Sequence, residues 1–177
     1  AMFRGRRYNW SYVTEPVPGL NGRCVNWARG KVLGGSSSIN GMIYSRGLPS
    51  DFNAWAQSGL RGWSFDDVLP YFRRSEDFGG APNERHAQGG PLPVTRRDTP
   101  SNVLFQAYIE AGRQAGFPVT EDFNGPSPEG FGRFHFNIRK GRRVSSATAF
   151  LRDTRARRNL TIWTRAHAVK VLFDEGR

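Results

Sequence analysis

The stretch Arg29-Gly30-Lys31-Val32-Leu33-Gly34-Gly35-Ser36-Ser37-Ser38-Ile39-Asn40-Gly41 constrains this chain more than any other. Paired glycines followed by three serines let the backbone turn tightly and bring its N–H groups against a ligand without side-chain obstruction. If residues 38–44 then open a helix, the free amides of its first turn and its dipole favour a phosphate or pyrophosphate at the same place. Taken alone, a Gly/Ser cluster is also the composition of a flexible connector. The neighbouring residues decide between the two.

Upstream stand Tyr8-Asn9-Trp10-Ser11-Tyr12 and Thr14-Glu15-Pro16. Downstream come Asn40-Gly41-Met42-Ile43-Tyr44-Ser45-Arg46-Gly47, Asp51-Phe52-Asn53-Ala54-Trp55 and Gly62-Trp63-Ser64-Phe65. Further on are Leu69-Pro70-Tyr71-Phe72-Arg73-Arg74-Ser75-Glu76, Gly89-Gly90-Pro91-Leu92, Asp122-Phe123-Asn124-Gly125 and Asn159-Leu160-Thr161. In this order the landmarks resemble the glucose-methanol-choline (GMC) family of FAD-dependent oxidoreductases, most closely its choline-dehydrogenase-like members. The family's first signature matches continuously from Gly30 to Asn53, and the resemblance extends over essentially the whole chain.

At 177 residues the chain can form one domain with a real core, or pieces of two. It has no run of eighteen apolar residues, so no transmembrane segment is expected, and residues 1–10 lack the apolar stretch of a signal peptide. The cytoplasm is the expected location. The single cysteine, Cys24, offers neither an internal disulfide nor a metal-ligand spacing. A formal charge of +11 would suit nucleic acid or another anionic partner. The arginine clusters Arg4-Gly5-Arg6-Arg7, Arg142-Arg143 and 152–158 carry no base-reading motif, so a solvated surface is expected and nucleic acid is not.

The coarse pattern is α+β (mixed α/β). Ser50 is placed to cap a helix over 51–58, and Ser64 another whose course Pro70 should split. Glycine, proline and polar residues over 79–100 predict an irregular excursion and a domain crossing. Apolar residues at helical spacing predict a helix from about Ser101 to Ala115. Alternation over 133–139 predicts a strand with Phe134, Phe136 and Ile138 on one face and Arg133, His135 and Asn137 on the other, followed by a turn at Lys140-Gly141. Ser145 or Ser146 should cap a helix through Leu151. Two final strands are expected over 160–164 and 168–173, and a turn over 174–177.

The resemblance implies a partial FAD-binding, Rossmann-like domain joined to part of a sheet-and-helix substrate domain. Residues 1–78 would belong to the FAD-binding part with its flavin-attachment loop, 79–150 to the substrate-binding part, and 151–177 to a return into the FAD-binding part. The chain enters on landmarks that follow the family's first FAD-binding unit. Its Gly-x-Gly-x-x-Gly turn has no counterpart here, since Gly130-Phe131-Gly132 lacks the third glycine. The catalytic histidine of the family would lie beyond Arg177. An internal fragment of a longer enzyme, inactive by itself, is therefore expected.

Carried over residue by residue, Gly34, Gly35 and Ser36 would line the pyrophosphate. Asn40, Gly41, Met42 and Ile43 would approach the flavin and ribityl chain, and Ala168 the adenine end. Arg29 and Val32 would complete the lining. Ile39 stands where some family oxidases attach the flavin through a histidine, so FAD is expected to be held non-covalently. Hydride passes from a small-molecule alcohol to the flavin N5 in the family; neither the alcohol nor the electron acceptor is named by the sequence. Of the three histidines, His86 is expected to be structural or solvated, His135 to look toward solvent or a substrate cavity, and His167 to sit on a strand edge. Glu76-Asp77 and Glu121-Asp122 are expected as solvated or capping groups. The competing readings are a basic anion- or nucleic-acid-binding module and an inactive truncated product.

Overall fold

The computed structural model of the chain describes residues 6–96 and 102–174. Among them each strand runs two or three residues and pairs with one partner. β1 (Tyr12–Val13) lies antiparallel to β2 (Asn26–Trp27). β3 (Ile43–Tyr44) leaves the Gly/Ser loop, β4 (Glu76–Phe78) is parallel to β5 (Leu92–Val94), and β6 (Val119–Thr120) is parallel to β7 (Phe131–Gly132). β8 (His135–Phe136) returns antiparallel to β3, with Tyr44 opposite His135. β9 (Ile138–Arg139) and β10 (Arg142–Arg143) form a hairpin across Lys140-Gly141, both of which take the left-handed backbone such a turn needs. A bridge between Thr95 and Phe136 fastens the β4–β5 pair to β8. Tyr44, Phe78 and Val94 form the apolar core there, with Leu92 packed against them.

α1 (Pro49–Gln57) starts earlier than its sequence suggests. Its entry is set by Pro49 in the first turn and by the Asp51 carboxylate, which accepts the Leu48 N–H at 2.8 Å, so Ser50 is inside the helix rather than its cap. Ser64 does cap α2 (Phe65–Ser75): its Oγ accepts the Asp67 N–H at 3.2 Å while Asp67 accepts the Ser64 N–H at 3.1 Å. Pro70 does not split this helix. It removes one hydrogen bond, to the carbonyl of exposed Asp66, where water is at hand. Both helices are tied together instead by Phe52, whose ring meets those of Phe65 at 6.2 Å and Phe72 at 5.7 Å. Phe52 and Phe65 are buried.

α3 (Val103–Gln114) is capped by Asn102, which accepts the Leu104 N–H at 3.0 Å; Ser101 lies outside the described residues. The helix sits on β6 and β7 through buried Gly112, where a Cβ would run into the Phe131 ring. Its opposite side is bare, with Val103 and Leu104 each 73% exposed.

The alternation over 133–139 does not give one strand. It is divided at Asn137 into β8 and β9, and the burial is inverted: His135 is buried and Phe134 exposed. The 79–96 segment, expected to leave the core, doubles back on β4 through Phe78 N–H to Ala87 O at 2.9 Å and Gly90 N–H to Glu76 O at 2.9 Å. Residues 147–151 form the expected helical segment as a single π-helical turn, with Ser145 Oγ accepting the Thr148 N–H at 3.3 Å. Neither final strand is present among the described residues: 160–174 runs without a hydrogen-bonded neighbour strand, and Val169 is 88% exposed. A strand exists only where a second backbone lies alongside. The turn expected over 174–177 falls largely outside the described residues.

Candidate functional site

The Gly/Ser loop closes on itself before it meets anything else. Gly34 takes φ 86° and Gly35 φ 51°, and a single 3₁₀ turn follows over Gly35–Ser38. The helix expected from 38 to 44 is absent: the chain passes through Asn40 and Met42, which has φ 64°, into β3. With one turn only, no helix dipole supports an anion; what remains is a ring of backbone and nearby cations.

Gly30 is the hinge of that ring. Its N–H reaches Ser36 Oγ at 3.2 Å, and Asn9 Oδ1 accepts the Arg29 N–H at 2.9 Å just ahead of it. The Ser36 hydroxyl thus accepts from the loop and keeps its own O–H to donate. The Ser36 carbonyl accepts Asn40 N–H at 2.8 Å, and Asn40 Oδ1 accepts the Met42 N–H at 3.0 Å, which fixes the left-handed Met42. Two glycines face outward: a Cβ on Gly35 or Gly41 would have nothing within 4 Å. Gly34 faces inward, where a Cβ would lie 3.1 Å from Ser145 Oγ.

Of the other expected lining residues, Val32 is exposed beside a cleft of about 610 Å³ whose far wall is residues 163–167. Ala168 follows that wall and is exposed. Trp10 joins the two sides: His167 packs on its ring at 4.8 Å and the Lys31 Nζ stands 4.6 Å over it. Arg29 lays its guanidinium over Trp27 at 5.1 Å. Ile43 is in β3, 44% exposed, and Ile39 is buried at 3%. Residues 29–43 are therefore gathered in one loop, with the segment before Ala168 across the cleft.

The sequence reading missed the supports. The Ser146 N–H donates to Ser37 Oγ at 2.9 Å and Ser146 Oγ to the Gly34 carbonyl at 3.2 Å. Arg143 donates to the Ser37 carbonyl at 3.1 Å and to Asn40 Oδ1 at 2.9 Å. They are more than a hundred residues from the loop in sequence, and no local pattern announces them.

A second polar assembly lies under β3. Glu76, expected as a solvated or capping group, is fully buried and accepts from Arg46, from His86 Nδ1 at 2.7 Å and from the Ala87 N–H at 3.0 Å. His86 Nε2 reaches Asp122 Oδ2 at 2.8 Å, and the His86 ring stacks on Phe78 at 4.0 Å. Asp122 is likewise engaged rather than solvated. Asn124 accepts the Arg46 N–H at 2.8 Å and donates to the Tyr44 carbonyl at 3.2 Å. His135 is buried beside Phe78 and His86, not turned to solvent.

Burial by itself would raise Glu76 and Asp122, but the His86 hydrogen bond to each, with the Arg46 charge on Glu76 and the Asn124 N–H on Asp122, holds both carboxyls below their ordinary range. Burial would lower His86; the hydrogen bonds to Asp122 and Glu76 outweigh it and raise it. Burial dominates at His135 and lowers it. The signs give a stability dome. A raised His86 contributes fully below the ordinary imidazole value of about 6.5 and less as pH rises through its folded value; a lowered His135 contributes above about 6.5 and less as pH falls. The depressed carboxyls add a further loss at acid pH, below about 4. The melting temperature of the chain should therefore peak near pH 6.5, and His86→Gln should flatten the alkaline limb. A melting temperature that rises steadily from pH 6 to 8 would contradict this assignment.

The family described as GMC oxidoreductase matches residues 11–177 of the chain. An oxygen-dependent choline dehydrogenase of Rhizobium rhizogenes is 50% identical over 171 residues, which are 97% of this chain and 31% of that protein. One of Pseudomonas putida is 50% identical over 173 residues with the same coverage. In structure, the pyridoxine 4-oxidase from Mesorbium loti superposes with a TM-score of 0.82 at 45% identity, over 90% of this chain and 32% of that one. An FAD-dependent oxidoreductase from Chaetomium thermophilum superposes at 0.71 and 27% identity, over 81% and 27%. The chain thus spans about a third of the length of the curated relatives it matches.

Proposed function

The chain belongs to the GMC oxidoreductase family, and from that premise we propose that it forms the flavin-facing segment of an FAD-dependent oxidoreductase acting on CH–OH groups of a small-molecule alcohol. The observation that carries this is the loop with bare backbone at Gly35 and Gly41, open in front and braced behind. That shape fits a flat, phosphate-linked cofactor, because main-chain groups can approach it where a side chain would intervene. The relatives named for choline and for pyridoxine support an alcohol as substrate, since both compounds carry a hydroxymethyl group.

FAD, when bound, supplies the N5 atom that accepts hydride. This chain's residues hold and orient it: Gly34, Gly35 and Ser36 near the pyrophosphate, Asn40 to Ile43 near the ring and ribityl chain, Arg29 and Val32 along the lining, Ala168 toward the adenine. Lys31, close to the cleft over Trp10, adds positive charge that favours a diphosphate. Ile39 offers no nucleophile and is turned into the core, so the attachment is non-covalent and acid precipitation should leave the flavin in the supernatant.

None of the chain's three histidines is placed to accept the alcohol proton. His86 has both ring nitrogens engaged, His135 is buried and His167 packs on Trp10. In this reading residues 1–78 and 151–177 belong to the cofactor side and 79–150 to the substrate side of a longer cytoplasmic enzyme. The test is to read the gene outward from both ends and express its full product. A Gly-x-Gly-x-x-Gly strand-turn-helix upstream, a catalytic histidine downstream and a yellow protein are expected. Stop codons at both ends, or a full-length product without visible flavin absorption, would overturn the reading.

A further inference from the structure

We propose that Arg143 is a positioning residue for the flavin cradle, which it holds in its ligand-ready shape from the hairpin on the other side of the chain. This rests on the reading of the loop as the FAD-facing segment. The geometry is specific. One guanidinium nitrogen, Nη1, donates both to the Ser37 carbonyl at 3.1 Å and to Asn40 Oδ1 at 2.9 Å. Those two acceptors bracket the exit of the 3₁₀ turn. Asn40 Oδ1 is the same atom that accepts the Met42 N–H at 3.0 Å. Arg143 therefore grips the amide that sets the left-handed backbone at Met42, φ 64°, and leaves Gly41 facing outward.

A left-handed methionine is an uncommon conformation, kept only where the surroundings determine it. Without the Arg143 donor, Asn40 Oδ1 is held by the Met42 N–H alone, and the side chain can exchange that bond for water and release the turn. A hydrogen bond from a charged donor is worth more than a neutral one, and the planar guanidinium is pre-organised to hold it. β10, which carries Arg143, is paired only with β9, and Arg139 of β9 is anchored to Asp77 at 2.9 Å. That pair is exposed; the firmer tie is the Thr95 hydroxyl, which donates to the Ile138 carbonyl and joins β9 to the β4–β5 pair, and the next residues, Val144 and Ser145, are buried. The clamp thus has a rigid mounting. Ser146 closes the other end of the loop at Gly34 and Ser37, so the backbone from 34 to 42 is held at two points.

The proposal is tested in the full-length product of the gene that carries this chain, with Arg143→Ala, Arg143→Lys and the unaltered protein compared. Two quantities are read: FAD affinity of the apoprotein by flavin fluorescence quenching, and amide hydrogen exchange over residues 34–42 in the absence of FAD. Arg143→Ala should weaken FAD binding by about 10- to 100-fold and speed exchange over 34–42, with exchange in α2 unchanged. Lysine keeps a charged donor but loses the fixed plane of the guanidinium, so it should recover part of the affinity. Faster exchange with unchanged affinity would make Arg143 a structural brace only and overturn the proposal. So would unchanged exchange, or loss of protection in α2 as well as the loop. Failure of the unaltered protein to bind FAD would instead overturn the flavin reading itself, a result the variants do not mimic.

Discussion

Glu76→Gln is expected to lower the stability of the chain by about 3–5 kcal/mol, the range for breaking a buried ion pair by removing one partner. The carboxylate has no exposure and accepts from Arg46, His86 and the Ala87 N–H at once. A glutamine has one oxygen for the two sides of this site, so its NH₂ must oppose either Arg46 or the His86 and Ala87 donors. It leaves the Arg46 side chain, 2% exposed, and the fully buried His86 short of negative charge. Urea denaturation monitored by tryptophan fluorescence measures the effect. Arg46→Met combined with Glu76→Gln should cost less than the sum of the two, because the second removal no longer strands a charge. A midpoint for Glu76→Gln within the half kcal/mol typical of surface substitutions would show that the network carries no such energy.

The second large effect is at the hinge of the Gly/Ser loop. A Cβ on Gly30 would run into the Gly35 carbonyl and lie 2.8 Å from Ser36 N, and both obstacles are backbone. Neither can rotate aside, so Gly30→Ala must open the ring. Overpacking of this kind costs about 1–3 kcal/mol in stability, and a displaced cradle should weaken FAD binding by about 100-fold or more in the full-length product. Gly41→Ala is the control. Its Cβ would point into open space, so folding should be untouched and only affinity reduced, by obstruction from the ligand side. Equal FAD affinity for Gly30→Ala and the unaltered protein would refute the hinge.

The loop was legible in sequence because its chemistry is local. Glycines at 34 and 35 and the Ser36 to Ser38 run state the tight turn within a few residues, as the Ser64–Asp67 pair states its capping box, although the helix expected over 38–44 is not formed. The strand of 133–139 was misread for the opposite reason. Alternation tells which residues share a face but not which face is inward; here the inward side holds His135, because Asp122, Phe78 and His86 provide a buried polar setting there. Glu76 leaves α2 with extended backbone as the first residue of β4, where no helical or alternating pattern marks it as buried. Nothing local reveals its partners. Arg143 and Ser146 were invisible for the same cause, since support from a distant segment leaves no periodicity in either. The strands expected over 160–173 followed β-propensity alone, which cannot supply the neighbour a strand needs.

The network under β3 also has a history that the finished fold conceals. Arg46 meets Glu76 thirty residues on and Asn124 seventy-eight residues on, and His86 meets Asp122 after thirty-six. On a ribosome that makes the chain from its N-terminus, Arg46, Glu76 and His86 are all synthesised before Asp122 and Asn124. Until that span joins them, the Nε2 side of His86 and the backbone of Arg46 lack their partners, and bringing the distant span in costs loop entropy. The last span to arrive, 122–124, is therefore the keystone of assembly, and a nascent chain halted ahead of it should be degraded by proteases that the completed chain resists.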